Sequence, residues 1–259
     1  MVKVLSKKRV LSLSLSIVVA LLLYPPAAWS DNNRWIPIGL DGAVVDGLAV
    51  DPTASGTLFA GTQDGVLKTT NRGGDRTPAN TGLTELQVLA LAMDRAAPGT
   101  LYVAVAQDGV FKTTNGGGDW TPANTGLSNN QVYALAVNPN TPDTLYAGTW
   151  GGGVFKSTNR GSNWTAASSG LTNGNVRALA INPIDPDTLY AGTNGFGVFK
   201  SSNGGSSWIE VNDGLTDTAV HSLAIDPVSP DTLYAGTAGG GTFAITFTWR
   251  IFLPMIIRN

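Results

Sequence analysis

The sequence predicts an all-β fold, a closed β-propeller of about five four-stranded blades, and three observations carry that expectation. One eight-residue phrase recurs four times at a spacing of 44, over residues 69–76, 113–120, 157–164 and 201–208. Markers around it keep the same step, at Lys68, Lys112, Lys156 and Lys200 and at Leu83, Leu127, Leu171 and Leu215. Self-similarity at this period marks a radial or solenoid array. The runs between are short, β-rich and bounded by Gly, Pro, Asn and Asp, and among 32 glycines almost no amphipathic stretch of helical length remains.

The third unit shows how four strands arise. Val132-Tyr133-Ala134-Leu135-Ala136-Val137 is apolar without helical period, and Asn138-Pro139 ends it. A turn at Pro142-Asp143-Thr144 leads into Leu145-Tyr146-Ala147-Gly148-Thr149, and Gly151-Gly152-Gly153 turns into Val154-Phe155-Lys156-Ser157. The repeated phrase then delivers Trp164-Thr165-Ala166, closed by Ser169-Gly170-Leu171. Four such strands in ~40–45 residues make one blade.

The phrase itself reads as a folding staple. Asn71, Asn115, Asn159 and Asn203 can accept from backbone N–H groups just downstream, closing an Asx-type turn. Gly73, Gly117, Gly161 and Gly205 supply the positive φ that a tight hairpin demands. Trp120, Trp164 and Trp208 then offer a large apolar ring to the neighbouring blade.

These residues resemble the BNR/Asp-box family, whose pattern is Ser-x-Asp-x-Gly-x-Thr-Trp. That family occurs in sialidases, xyloglucan-active glycoside hydrolases, sortilin-type receptors and photosystem II assembly factors, and the resemblance implies a propeller over roughly residues 35–243. Asn stands in the Asp position in all four copies, and Arg76 replaces the first Trp. In the family the box lies away from the catalytic centre, so the resemblance speaks to fold rather than activity.

First-strand runs at Val45–Val50, Val88–Met93, Val132–Val137, Val176–Ile181 and Val220–Ile225 count five blades, with second strands starting at Leu58, Leu101, Leu145, Leu189 and Leu233. The fifth unit has a third strand near residues 242–247 but no box after it. Upstream, Trp35-Ile36-Pro37-Ile38-Gly39-Leu40 reads as an orphan fourth strand, expected to complete blade five and close the ring; Trp249 competes for that place. Residues 249–259 are expected to form a tail that leaves the repeat, the propeller itself spanning 31–248.

Residues 1–30 read as a secretory signal peptide. Lys3, Lys7, Lys8 and Arg9 precede an apolar core and the small residues Ala28 and Ser30, placing cleavage before Asp31. The remaining chain keeps 12 of the 16 basic residues and all 18 acidic ones, net −6, with no basic cluster for nucleic acid or anionic membrane. No spanning segment follows, and a monomer is expected. Zero cysteines exclude disulfides and thiolate metal sites and fit a bacterial envelope or secreted protein.

Candidate catalytic groups are few: one histidine, His221, and the two glutamates Glu85 and Glu210. There is no Gly-x-Ser-x-Gly elbow and no His/Cys metal spacing, so no catalytic residue, metal or cofactor is assigned. The aspartates Asp143, Asp187 and Asp231, like Asp51, Asp94 and Asp226, recur in register and read as turn residues.

Identical blades recognise a ligand through positions that escape the repeat. Within Val-x-Ala-Leu-Ala of the first strand, x is Asp46, Leu89, Tyr133, Arg177 or His221. Blade topology puts these at the same end as the loops carrying Gln63, Trp150, Asn194 with Phe196, and Ala238. Asp46, Tyr133, Trp150, Arg177, Asn194 and His221 are therefore expected to converge at the tunnel mouth, with Arg177 pairing Asp46 or a ligand carboxylate. The function this implies is a non-catalytic, exported module that binds a protein or glycan. The alternative is a glycoside hydrolase of sialidase or xyloglucanase type, or a lectin-like sugar reader; the Phe-Arg-Ile-Pro segment of sialidases is absent.

Overall fold

Every strand signal in the repeat folds as a strand. The computed structural model describes residues 43–247, and these form five antiparallel sheets without a helix. In blade three the strands Val132–Val137, Leu145–Thr149, Gly153–Ser157 and Thr165–Ala166 pair in chain order, first with second, second with third, third with fourth. Blades one, two and four repeat that order. The five first strands have the limits expected from the apolar runs. In blade five the second strand starts at Thr232, one residue before the expected Leu233, because Thr232 pairs with Thr246 of the third strand, Thr242–Thr246. Among the described residues that blade has three strands.

First strands pack side by side from blade one through blade five. Leu91, Leu135 and Leu179 are half-buried in this series, whereas Leu48, their counterpart in blade one, is 66% exposed. The series thus has two ends among the described residues. The segments expected to close the ring, residues 35–38 and Trp249, lie outside those residues, as do the leader at 1–30 and the tail.

The core is divided among the four blade boundaries. Phe59, Val66 and Ala79 of blade one meet Val88, Leu101, Val103, Phe111 and Trp120 of blade two. Tyr102, Val110 and Ala123 of blade two meet Leu145, Phe155 and Trp164 of blade three. Tyr146 and Val154 then meet Leu189, Phe199 and Trp208. Tyr190 and Val198 meet Val220, Leu233 and Ala235, and this fourth cluster holds no tryptophan. Each blade therefore buries its apolar face on the next, which is how a repeat too small for its own core becomes stable.

The box works as the sequence implies. The side-chain carbonyl of Asn159 accepts the N–H of Asn163 at 2.8 Å, and Asn71, Asn115 and Asn203 do the same four residues downstream at 2.8–2.9 Å. Gly73, Gly117, Gly161 and Gly205 have φ between 79° and 90°. The residue before each, Arg72, Gly116, Arg160 or Gly204, is left-handed too, as a primed turn requires. Lys68, Lys112 and Lys156 reach into the next blade's box, their ammonium groups donating to the carbonyls of Gly116, Arg160 and Gly204 at 2.9–3.2 Å.

Candidate functional site

The residues that escape the repeat share a backbone feature. In each first strand the pairing register slips at one position, skipping Asp46, Leu89, Tyr133, Arg177 or His221. A bulged residue has no ladder partner and its side chain is re-aimed. The variable position of the sequence is thus the bulge of the innermost strand, and the blade scaffold holds it while leaving its identity free.

Three of the expected residues come together. The guanidinium of Arg177 in blade four lies 5.3 Å from the ring centre of Tyr133 in blade three. It lies 5.3 Å from the ring centre of Trp150, which stands in the loop between the second and third strands of blade three. The two rings are 5.8 Å apart and inclined at 49°. All three side chains are half-buried, and Nε of Arg177 is buried without a hydrogen-bond partner. Arginine over aromatic faces is held by the ring quadrupoles and by stacking, which leaves the outer N–H donors for a ligand.

The loops beside the cluster are fixed by backbone bonds. Trp150 donates its N–H to Gln131 at 2.8 Å, and Asn129 Nδ2 donates to the Trp150 carbonyl at 2.7 Å. Gly151 donates to Gly174 of blade four at 2.9 Å, an approach so close that a Cβ on Gly174 would lie 2.5 Å from the Gly151 oxygen. Trp150 is thereby anchored to both blades. In blade five Asp217 does the equivalent work, accepting the N–H groups of Ala219, Gly239 and Gly240 at 2.7–2.9 Å. Those bonds, the one from Ala219 first, hold its carboxyl below the ordinary range.

The remaining expected residues do not join. Asp46 and His221 are exposed on the first strands of blades one and five, and Arg177 makes no ion pair with Asp46: blade one is three blades away, and the adjoining aromatic rings take the guanidinium instead. Asn194 is half-buried, bridges to Ala219 of blade five and donates its N–H to Asn175. Its role is at the blade-four/blade-five loop contact. The register aspartates are turn residues, with Asp94 accepting the N–H groups of Ala96 and Ala97 and Asp143 pairing Arg160 at 2.5 Å. Sequence reasoning missed a second cavity of about 340 Å³ at the other end of the first strands. Met93, Val137, Ile181, Ile225 and the prolines after them line it, and their regular repetition conceals it among core positions.

No family model and no curated protein matches this chain. Solved structures do. An ancestral GH74 enzyme superposes with a TM-score of 0.62 at 25% identity, over 78% of this chain and 28% of that one. The extracellular domain of the one-component system BT4673 from B. thetaiotaomicron gives 0.61 at 16% identity, over 77% of this chain and 27% of that one. YCF48 from Cyanidioschyzon merolae gives 0.58 at 15% identity, over 80% and 68%. These are β-propeller proteins. The fold of this chain is a β-propeller. It spans little more than a quarter of the first two neighbours. In propeller terms, Tyr133, Trp150 and Arg177 mark the mouth where first strands begin, since Val176 pairs with Thr193 at the end of the second strand.

Proposed function

We propose that this chain is an exported, non-catalytic propeller module that binds a protein or glycan through Tyr133, Trp150 and Arg177 at the tunnel mouth. The observation that carries the reading is the Arg177 guanidinium, flanked by two aromatic rings with its Nε buried and unpartnered. A buried donor without an acceptor costs roughly 1–3 kcal/mol, so the arrangement stores affinity for an oxygen acceptor. A carboxylate on the ligand supplies that acceptor with charge assistance. Export rests on the leader-like residues 1–30, and it agrees with the extracellular placement of one of the propellers that superpose on this one.

Binding of the purified chain to parallel arrays of acidic and neutral glycans and of acidic peptides tests this. Preference for carboxylate-bearing ligands, lost in Arg177→Gln, supports the reading. Indifference to ligand charge, or binding unchanged in Arg177→Gln, overturns it. The second reading, glycoside hydrolysis, is favoured by the likeness to a GH74 enzyme. Reducing-sugar release from polysaccharides by the same preparation would replace the binding reading with that one.

A further inference from the structure

Three blade boundaries are locked by an indole. Trp120, Trp164 and Trp208 are 3% exposed, and each Nε1–H donates across the boundary to Ala79, Ala123 or Ala167 at 2.7–2.8 Å. Their backbone N–H groups donate to Thr81, Thr125 and Ser169 at 2.8 Å. The carbonyls of the same tryptophans cover Gly82, Gly126 and Gly170, where a Cβ would stand 2.2 Å from the oxygen.

The boundary between blades four and five has the same socket. Val198, Val211, Leu215, Leu233, Ala235 and Phe243 surround a cavity of about 120 Å³. They are the counterparts, one repeat on, of residues around Trp208, among them Val154, Leu171, Leu189, Ala191 and Phe199. Gly214, the counterpart of Gly170, has the same left-handed backbone, φ 80° against 87°, and no described atom stands within 4 Å of its Cβ position. Among the described residues none supplies the ring.

Register names the occupant. Ile245 pairs with Leu233 as Ser201 pairs with Leu189. Counting on from Ile245 as from Ser201 to Trp208 arrives at Phe252, and Leu253-Pro254 then falls where blades one and two have the fourth strands Thr77–Pro78 and Thr121–Pro122. The chain already leads there: Phe247 stacks on Tyr190 at 5.4 Å, against the blade-four wall.

We propose that residues 252–254 dock in this socket, the Phe252 ring taking the place of the box tryptophan and Leu253-Pro254 completing blade five as its fourth strand. The segment continues the repeat rather than leaving it, and it comes from the C-terminal side of the ring, not from Trp35. Phenylalanine has no N–H, so the Val211 carbonyl, counterpart of Ala167, gains no ring donor there.

The absence of cysteine makes the test clean. The bond from Trp208 N–H to the Ser169 carbonyl brings those two residues into the Cα separation of a disulfide, ~4.4–6.8 Å. In the full chain, Asp213→Cys with Phe252→Cys is expected to cross-link under mild oxidation and Asp213→Cys with Trp35→Cys is not. Reversal of that pattern, cross-linking through Trp249→Cys instead, or no cross-link at all overturns the proposal. Gly214→Ala keeps Phe252 intact and is expected to lower Tm as far as Gly170→Ala does; a fall much smaller than that of Gly170→Ala overturns it. Phe252→Trp is expected to hold or raise Tm while Phe252→Ala lowers it, and equal Tm for wild type and Phe252→Ala counts against the proposal.

Discussion

The indole N–H of Trp164 donates to the carbonyl of Ala123 at 2.8 Å, crossing from blade three to blade two. The two residues are 41 apart in sequence, so the box is a fastener between repeats and not merely a turn. Trp164→Phe keeps most of the ring but strips a buried carbonyl of its donor and leaves a small void. It is expected to destabilise the chain by about 2–4 kcal/mol, read as a lower denaturant midpoint. Trp120→Phe and Trp208→Phe should behave alike.

Gly126 separates steric from conformational cost. Its φ is 86° and a Cβ there would lie 2.2 Å from the Trp164 carbonyl oxygen, backbone that cannot yield without opening the boundary. Gly195 has φ 100° and nothing within 4 Å. Gly195→Ala is expected to cost about 1–2 kcal/mol, from the left-handed backbone alone. Gly126→Ala is expected to cost clearly more and to lower yield, as measured by denaturant titration of both variants.

The blades were legible because every level of the sequence agreed on them: apolar runs, turn residues and the period of 44 all fix the same strand limits. Tyr133, Trp150 and Arg177 were legible as exceptions to that period. That Arg177 lies between the two rings was not, because nothing in the sequence announces a bulge; Asp46 and His221 escape the repeat equally and stay apart. The socket of blade five was hidden for the opposite reason. Its occupant, Phe252, keeps the register while the Asn and Gly that would announce a box are replaced by Phe247 and Trp249.

Alkaline pH should loosen the blade boundaries. Burial, ahead of the nearby Asp187, pushes the Tyr146 hydroxyl up to about 12, and Tyr102 and Tyr190 are likewise raised to about 12, chiefly by burial. Unfolded tyrosine ionises near pH 10, so the folded state holds these protons more tightly. The stabilisation is full below pH 10 and is lost as pH rises towards 12. Tyr146 also donates to the Gly204 carbonyl at 3.1 Å, a bond its ionised form cannot make. Urea midpoints from pH 9 to 12 should therefore fall steeply above pH 10 and less so in Tyr146→Phe. The ring alone suffices at this position, since blade one carries Phe59 there, 1% exposed.

Arg177 gives the sharpest test of recognition at the mouth, because two of its properties can be removed separately. Lysine keeps the charge but loses the planar fork that stacks between Tyr133 and Trp150. Glutamine loses the charge and keeps some hydrogen-bonding capacity. If a ligand carboxylate is read by a guanidinium held in place by the rings, Arg177→Lys should weaken binding by about 1–2 kcal/mol, and Arg177→Gln by more. Trp150→Ala removes one of the two faces that orient the guanidinium. It should weaken binding by at least about 1 kcal/mol and flatten the difference between Arg177 and its lysine variant, because an unsupported guanidinium has no geometric advantage over an ammonium. A double-mutant cycle by calorimetry, with Tm measured on each variant to exclude unfolding, reads that coupling directly. Additive losses at Arg177 and Trp150 would mean that the two side chains act independently, and the stacked arrangement would then be a packing feature of the blade-three/blade-four boundary rather than the recognition element.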